Sequence, residues 1–340
     1  MIPKSHLRNL TSGSHPLQVF SHQGRLYVSG DGALIPFGTA SEDTEGMAIF
    51  VGDFYENCGS LNEPHATIHR KDGRATYEFK DSEFEFTYQG DEQEVIGGVE
   101  ILTEERWIPL PDSLHDDLNT LGPIQKRIET GRWYQLGVRI GDNEIQTSDG
   151  HRGHIISRPE YPEEVFRFPD LAIGSFSRGE QVSYLKDGDT IAVKTGSGAI
   201  FITRENTPTD IKKVIPETEW NFFRGNQKHL RDALAPFIKN KEGKVKITIS
   251  DNNFEFHSTK RPEEKRARSQ VVRCEYSGPD VHLFMDPKIL NDMISAMFDK
   301  DVEIGHRGHA MDPIVIRFKE EGSPFFPGRS ETYVAMGMRP

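Results

Sequence analysis

Apolar and polar residues alternate along this chain in short runs, and the runs come in pairs separated by turn residues. Six pairs can be read: LQVFSHQGRLYVSG from Leu17, ATIHRKDGRATYEF from Ala66, LGVRIGDNEIQTSD from Leu136, DTIAVKTGSGAIFITR from Asp189, VKITISDNNFEFHS from Val245 and VEIGHRGHAMDPIVIRF from Val302. Each alternates with a period of two around a Gly, Asp-Gly or Asp-Asn centre, which predicts a β-hairpin. They recur roughly every 60 residues, so the chain repeats one supersecondary unit.

Ahead of the hairpins the period lengthens to that of a helix. From Met285 to Phe298, the residues Ile289, Leu290, Met293, Ile294, Met297 and Phe298 share one face, with Asp286 as cap and Pro287 in the first turn. Gly225 to Ile238 repeats the pattern, with Leu230, Ala233, Leu234, Phe237 and Ile238 inward and Lys228 and Arg231 outward. Pro236 is expected to distort its last turn. Phe50, Phe54, Cys58 and Leu61 mark a third helix, and Leu114, Leu118 and Leu121 a fourth. Ser5 to Leu10 and Pro169 to Phe176 are shorter and weaker. Six helix-plus-hairpin units, taken in pairs, predict an α+β fold of three similar domains: residues 1–105, 106–216 and 217–340. Polar, acidic stretches near Glu105 and Pro216 set these boundaries. One irregular antiparallel α+β domain is the alternative, which a sixfold repeat disfavours.

Composition narrows the setting. The 340 residues carry 41 basic and 53 acidic side chains, a net charge of -12, with mean hydropathy -0.59. No apolar run is long enough for a membrane helix, and the N-terminus has no signal-peptide pattern. Two cysteines, Cys58 and Cys274, cannot build a disulfide framework, so a cytoplasmic protein is expected. Taken whole, the charge argues against nucleic acid, which usually demands a basic footprint. Divided by thirds it does not. Residues 1–105 hold 7 basic and 18 acidic side chains, 106–216 hold 14 and 16, and 217–340 hold 20 and 19. The acidity belongs to one end of the chain, and such asymmetry suits a head that attracts a tail.

Among local motifs, Thr147-Ser148-Asp149-Gly150-His151-Arg152 closes the third hairpin. Asp-Gly supplies a tight turn, and His151 and Arg152 are expected to project donors from it. In context this segment resembles the Thr-Asp-Gly-His-Arg signature of the bacterial DNA polymerase III beta sliding clamp family. Four further stretches agree in order and spacing. They are Arg132-Trp133-Tyr134, the run from Pro208 to Pro216, the helix Met285 to Phe298, and the ending Tyr333-Val334-Ala335-Met336-Gly337-Met338-Arg339-Pro340. The resemblance covers essentially the whole chain and is weakest over residues 1–60.

That resemblance implies a DNA clamp fold of three domains and a head-to-tail homodimer closing into a ring around duplex DNA. Helices would line the hole and sheets would form the wall. Such a ring is a non-catalytic processivity factor that holds DNA by topology without reading sequence. A modest basic lining then suffices, and an acidic exterior limits stray contacts. Lys4, Arg8, Lys126, Arg127, Lys228, Arg231 and Lys288 are the lining candidates, with Trp133 and Tyr134 placed to stack where DNA tilts out. Polymerase and clamp-loader peptides would dock in an apolar pocket made by Gly150, His151, Arg152, Pro208, Val214, Val334, Met336 and Met338, where methionine suits varied ligands. Gly153 stands where the family usually has Leu, Gly337 replaces Pro and Pro340 replaces the final Leu, so a shallower or reshaped pocket is expected. No cofactor is implied.

Family members commonly put basic residues on the first-domain edge strand and acidic ones opposite. Here Lys80-Asp81-Ser82-Glu83-Phe84-Glu85-Phe86 and Lys260-Arg261-Pro262-Glu263-Glu264-Lys265-Arg266-Ala267-Arg268 reverse that polarity. Glu83 and Glu85 are therefore expected to face Lys265, Arg266 and Arg268 across the dimer junction, with Phe84 or Phe86 giving apolar burial. Ordinary solvated edge charges are the competing reading.

Enzymatic readings have less support. The chain lacks a Walker loop, a Rossmann fingerprint, a Gly-x-Ser-x-Gly elbow and a His-Glu-x-x-His helix. Gly-His-Arg-Gly-His occurs at Gly150–His154 and again at Gly305–His309, but no ligand cluster completes a metal set by spacing, and polar turns are expected. Asp116-Asp117 reads as a solvated helix end. A clamp-fold interaction protein that binds replication partners without encircling DNA is the functional alternative.

Overall fold

The computed structural model describes residues 17–22, 24–30, 33–39, 47–49, 67–71, 74–79, 82–87, 106–125, 137–204, 210–216, 220–259, 269–296, 301–309, 312–319 and 330–338. All six anticipated hairpins pair antiparallel: Leu17–His22 with Arg25–Gly30, Thr67–Lys71 with Arg74–Phe79, and Val138–Gly141 with Glu144–Ser148. Thr190–Thr195 pairs with Ile200–Arg204, Val245–Ser250 with Asn253–Ser258, and Asp301–His306 with Ile314–Lys319. Two of the turns show why the sequence signal is strong. Asp142-Asn143 and Asp251-Asn252 all have positive φ, between 47° and 60°, the backbone of a two-residue turn that Asn and Asp tolerate and that matches strand twist.

Three helices are described. Helix α1 is Leu114–Gln125, α2 is Gln227–Lys239 and α3 is Pro287–Ala296. Each buries the face its periodicity predicts: Leu114, Leu118, Leu121 and Ile124 in α1, Leu230, Ala233, Leu234 and Phe237 in α2, and Leu290, Met293 and Ile294 in α3. Asp286 caps α3 by accepting from the Lys288 N–H at 2.7 Å, and Pro287 needs no donor partner at the first helical position. The α2 start lies two residues later than the apolar pattern implied. Gly225 belongs to the strand Asn221–Asn226, and Asn226 is the cap, accepting from His229 N–H at 3.2 Å. Pro236 sits in the last turn, after which Lys241 (φ 53°) reverses the chain. The Lys241 and Glu242 N–H groups then close onto the Ile238 and Phe237 carbonyls, a Schellman ending. Pro169–Phe176 contributes only the single 3₁₀ turn Asp170–Ala172. The helices read from Phe50 to Leu61 and from Ser5 to Leu10, and the residues Met297 and Phe298, lie outside the described residues.

The strand leading into each helix pairs with a hairpin other than its own. Ile108–Pro109, ahead of α1, pairs with Val182–Asp187, while Phe166–Phe168 lies beside Val138–Gly141. Likewise Asn221–Asn226, ahead of α2, pairs with Asp301–His306, and Val281–Met285, ahead of α3, pairs with Val245–Ser250. Successive units thus exchange their leading strands.

By contact density the chain forms two compact units. The first, Met1–His115 with Phe168–Glu205, holds an eight-stranded sheet and the three-stranded sheet Thr67–Lys71, Arg74–Phe79, Ser82–Thr87. In the larger sheet Ala33–Thr39 meets Ile200–Arg204. The second unit, Asp116–Arg167 with Asn206–Pro340, holds a nine-stranded and a four-stranded sheet and most of the helical residues. Its largest core packs α2 and α3 against the apolar faces of Val245–Ser250, Asn253–Ser258 and Val281–Met285. Sheets therefore run across residues 105 and 216, through partners distant in sequence. Among the described residues no helix is long and apolar enough to cross a membrane.

Asp117 departs from the sequence reading. It is fully buried, not solvated: its carboxylate accepts from Arg158 Nε at 2.7 Å, Arg158 Nη2 at 3.1 Å and the Tyr161 hydroxyl at 2.9 Å. The cluster ties α1 to the segment beyond Arg152–Ser157. Asp117→Ala removes the carboxylate bonded to the buried guanidinium and is expected to cost about 3–5 kcal/mol, measured by urea unfolding at pH 7. A loss below ~1 kcal/mol, as for an exposed pair, would contradict this account.

Candidate partner-docking cleft

The strand Arg152–Ser157 pairs on one side with Glu144–Ser148 and on the other with Ser330–Ala335, whose second neighbour is Ile314–Lys319. The C-terminal strand is thus interior to the nine-stranded sheet, and its register with Arg152–Ser157 runs without a break from Arg152↔Ala335 to Ser157↔Ser330. Beneath this seam His154 Nε2 lies 3.0 Å from Glu331 Oε2, both side chains fully buried, and the His154 and Tyr333 rings sit 4.9 Å apart. Burial also raises the Tyr333 hydroxyl well above its usual range.

At the open end of the seam the Ser148–Arg152 turn forms a wall. Asp149 Oδ1 accepts from the His151 and Arg152 N–H groups, each at 3.0 Å, and Gly150 takes φ 83°, which the turn needs and a side chain would resist. The Met336 N–H donates to the His151 carbonyl at 3.0 Å and the Met338 N–H to the Phe284 carbonyl at 2.8 Å. The tail is therefore pinned where it leaves its strand. Arg152 does not project outward as the motif suggested. Its buried guanidinium spends its donors inward, on Asp149 Oδ2 at 2.9 Å, Asp292 Oδ2 of α3 at 3.0 Å and the Pro123 carbonyl of α1 at 3.2 Å. A side chain expected to project from the turn is a clasp holding the wall to two helices.

The third wall is the 3₁₀ turn Ile211–Val214. Gln146 fixes it by accepting from the Ile211 N–H at 2.8 Å, and the Asp210 side chain caps it. Lys212 pairs with Glu144. Burial nevertheless raises the Glu144 carboxyl, outweighing Lys212. Between these walls lies a cleft of about 270 Å³ lined by Ser148, Gly150, His151, Arg152, Gly153, Ile211, Val214, Val334, Ala335 and Met336. Of its lining, Ile211 and Val334 belong to a buried cluster with Ile155 and Val315, while Val214 and Met336 remain about half exposed. Of the pocket residues read from sequence, Gly150, His151, Arg152, Val214, Val334 and Met336 come together here. Met338 is exposed just beyond, and Pro208 lies outside the described residues. Ile211 was missed. An alternating strand pattern carries no signal for a 3₁₀ turn that docks edge-on.

Elsewhere on this unit, Lys228 and Arg231 of α2 are exposed, as is Lys288 of α3. The first two line an open groove of about 490 Å³ together with Asp232, Ala235, Ile238, Lys239 and Asn291. Lys4, Arg8, Lys126, Arg127, Trp133 and Tyr134 lie outside the described residues, as do Lys265, Arg266 and Arg268. Glu83, Phe84, Glu85 and Phe86 fall on the outer strand Ser82–Thr87 of the three-stranded sheet.

The architecture is that of a DNA clamp: sheet-rich, with repeated helix-plus-hairpin units exchanging strands. The chain has the fold of bacterial DNA polymerase III beta sliding clamps. The Pseudomonas aeruginosa sliding clamp, solved with a ligand, superposes with a TM-score of 0.74 at 14% identity, covering 99% of this chain and 98% of that one. The Helicobacter pylori beta clamp bound to a DNA ligase peptide superposes at 0.70 and 15% identity, with 98% and 96% covered. No family model and no curated protein sequence matches.

The two Gly-His-Arg-Gly-His copies also resolve. In each, the first and last histidines face different surroundings: His151 is exposed and His154 buried, His306 buried and His309 exposed. His306 packs against the Tyr276 ring at 5.7 Å, and neither ring nitrogen finds a hydrogen-bond partner among the described residues. Burial depresses it to about 4. The unfolded chain then binds a proton the native state refuses, so stability is full above pH 6.5 and falls as pH drops toward 4. Wild type should lose about 2 kcal/mol more between pH 7 and pH 5 than His306→Leu, compared by denaturant unfolding. Parallel pH profiles would contradict this.

Proposed function

We propose that this protein is a DNA polymerase processivity factor: a divergent, non-catalytic sliding clamp of the DNA polymerase III beta type. It encircles duplex DNA without reading sequence and docks polymerase and clamp-loader peptides in the cleft at Gly150–Arg152. The observation that carries the reading is a coincidence. The chain superposes on a clamp over 99% of its length, and Gly150, His151, Arg152, Val214, Val334 and Met336, picked out by motif, line one half-exposed apolar cleft. An apolar recess with a few polar groups at its rim is a natural receptor for a short linear segment, and a solved clamp of this fold carries a DNA ligase peptide. The exposed Lys228, Arg231, Lys239 and Lys288 support sequence-independent phosphate contact, which needs positive charge without base readout. In this reading the domains are 1–105, 106–216 and 217–340, and the setting is the cytoplasm.

The ring itself requires a second copy. Ser82–Thr87 and Ser269–Arg273 are outer strands of their sheets, each paired on one side among the described strands. Val271, on the second, is 56% exposed. An apolar residue on an open strand edge is a hazard unless another strand covers it. The acidic pattern of the first edge and the basic run just before the second supply complementary charge.

Loaded by a clamp loader onto a nicked circular plasmid, the protein should stay bound through gel filtration at high salt and be lost once the circle is linearised. Binding to polymerase peptides with no retention on the circle would favour the non-encircling interaction protein. For the dimer, Glu83→Lys with Glu85→Lys, and separately Val271→Asp, should each yield monomers by light scattering. A dimer unchanged in both variants would contradict this junction.

A further inference from the structure

Gly153 has ordinary strand backbone, so what the cleft uses is its missing side chain. A β-carbon built there would fall 2.9 Å from both Cδ1 and Cγ2 of Ile211 and 3.2 Å from its Cγ1, closer than unbonded carbons settle. Ile211 therefore occupies the space that a side chain at 153 would take. It is 4% exposed and held from several directions. Its N–H donates to Gln146, Asp210 caps its turn, and its hydrocarbon packs with Ile155, Val315 and Val334. A β-branched side chain gripped in this way moves only at a cost in packing, so the recess does not deepen freely for a larger guest. The resulting recess, about 270 Å³, lies under the usual range of roughly 300–1,000 Å³ for small-molecule sites. No Phe, Tyr or Trp lines it among the described residues, so apart from the exposed His151 imidazole it offers no ring for an aromatic guest to pack against.

We propose that Ile211, seated on Gly153, sets the depth of the cleft and makes it select partner segments presenting an aliphatic side chain over those presenting an aromatic ring. This rests on the docking reading above and names the chemistry of its ligand. Gly153 and Ile211 act as a matched pair. Removing Ile211 opens the floor, and adding a side chain at 153 drives Ile211 into the opening.

The test uses the full chain with methyl-labelled methionine and valine, titrated with N-acetyl-Ala-Leu-Ala-amide and N-acetyl-Ala-Phe-Ala-amide while the Met336 and Val334 methyl shifts are followed. In the wild type the leucine peptide should half-saturate those shifts at a concentration ~10-fold or more below the phenylalanine peptide. Ile211→Ala should bring the two within about twofold, and the conservative Ile211→Val should fall between. Gly153→Ala should weaken the leucine peptide by ~10-fold, with binding recovered when Ile211→Ala is added. If Ile211→Ala does not fold, Ile211→Val and Gly153→Ala decide the question. Equal half-saturation by both peptides, unmoved in the Ile211 variants, would overturn the depth inference while leaving the docking reading intact. No shift with either peptide in the wild type would overturn the docking reading and this inference with it.

Discussion

The candidate site depends on one seam, the pairing of Arg152–Ser157 with Ser330–Ala335. These strands are far apart in the chain, so closing them costs loop entropy that their contacts must offset. Backbone hydrogen bonds along six register pairs, the sealed His154–Glu331 contact and the Arg152 clasp supply it. Buried polar contacts of this kind confer little net stability against apolar replacements, but they penalise wrong arrangements heavily. A slip of one residue would turn Glu331 from the interior and break its contact with His154. The cleft exists because the seam stops where it does, with the tail diverging at Met336 and the Asp149 turn closing the other side.

The same economy governs the helices. Their inner faces pack on sheets, and the clasp from Arg152 reaches α3 through Asp292 and α1 through the Pro123 carbonyl. The wall that would receive a partner peptide is thus tied directly to α1 and α3 within the second unit. Buried, multiply bonded guanidinium groups give orientation more than energy.

Charge is best understood locally. The net charge of -12 is a poor guide to partners because its carriers are unevenly spread. The acidic excess lies in residues 1–105, whereas α2 and α3 display exposed lysine and arginine. A topological clamp has no need of a broadly basic surface, since linkage to DNA does the holding and phosphate contacts only guide it. The net charge therefore does not count against the proposed role.

Much of this was legible in the residues. Period-two alternation around Asp-Asn and Gly turns identified all six hairpins, and a 3.6-residue period with Asp286 and Pro287 located α3 nearly to its ends, because such signals are local and backbone geometry enforces them. The motif at Asp149–Arg152 and the tail at Met336 marked the cleft by resemblance. What the sequence could not disclose is long-range. The exchange of leading strands, the burial of Asp117 under Arg158 and Tyr161, the inward turn of Arg152 and the seating of Ile211 on Gly153 all join residues tens of positions apart. A carboxylate on a helix looks the same in sequence whether water or a guanidinium faces it. Only packing decides which, because burial and pairing energies exist between elements and not within them.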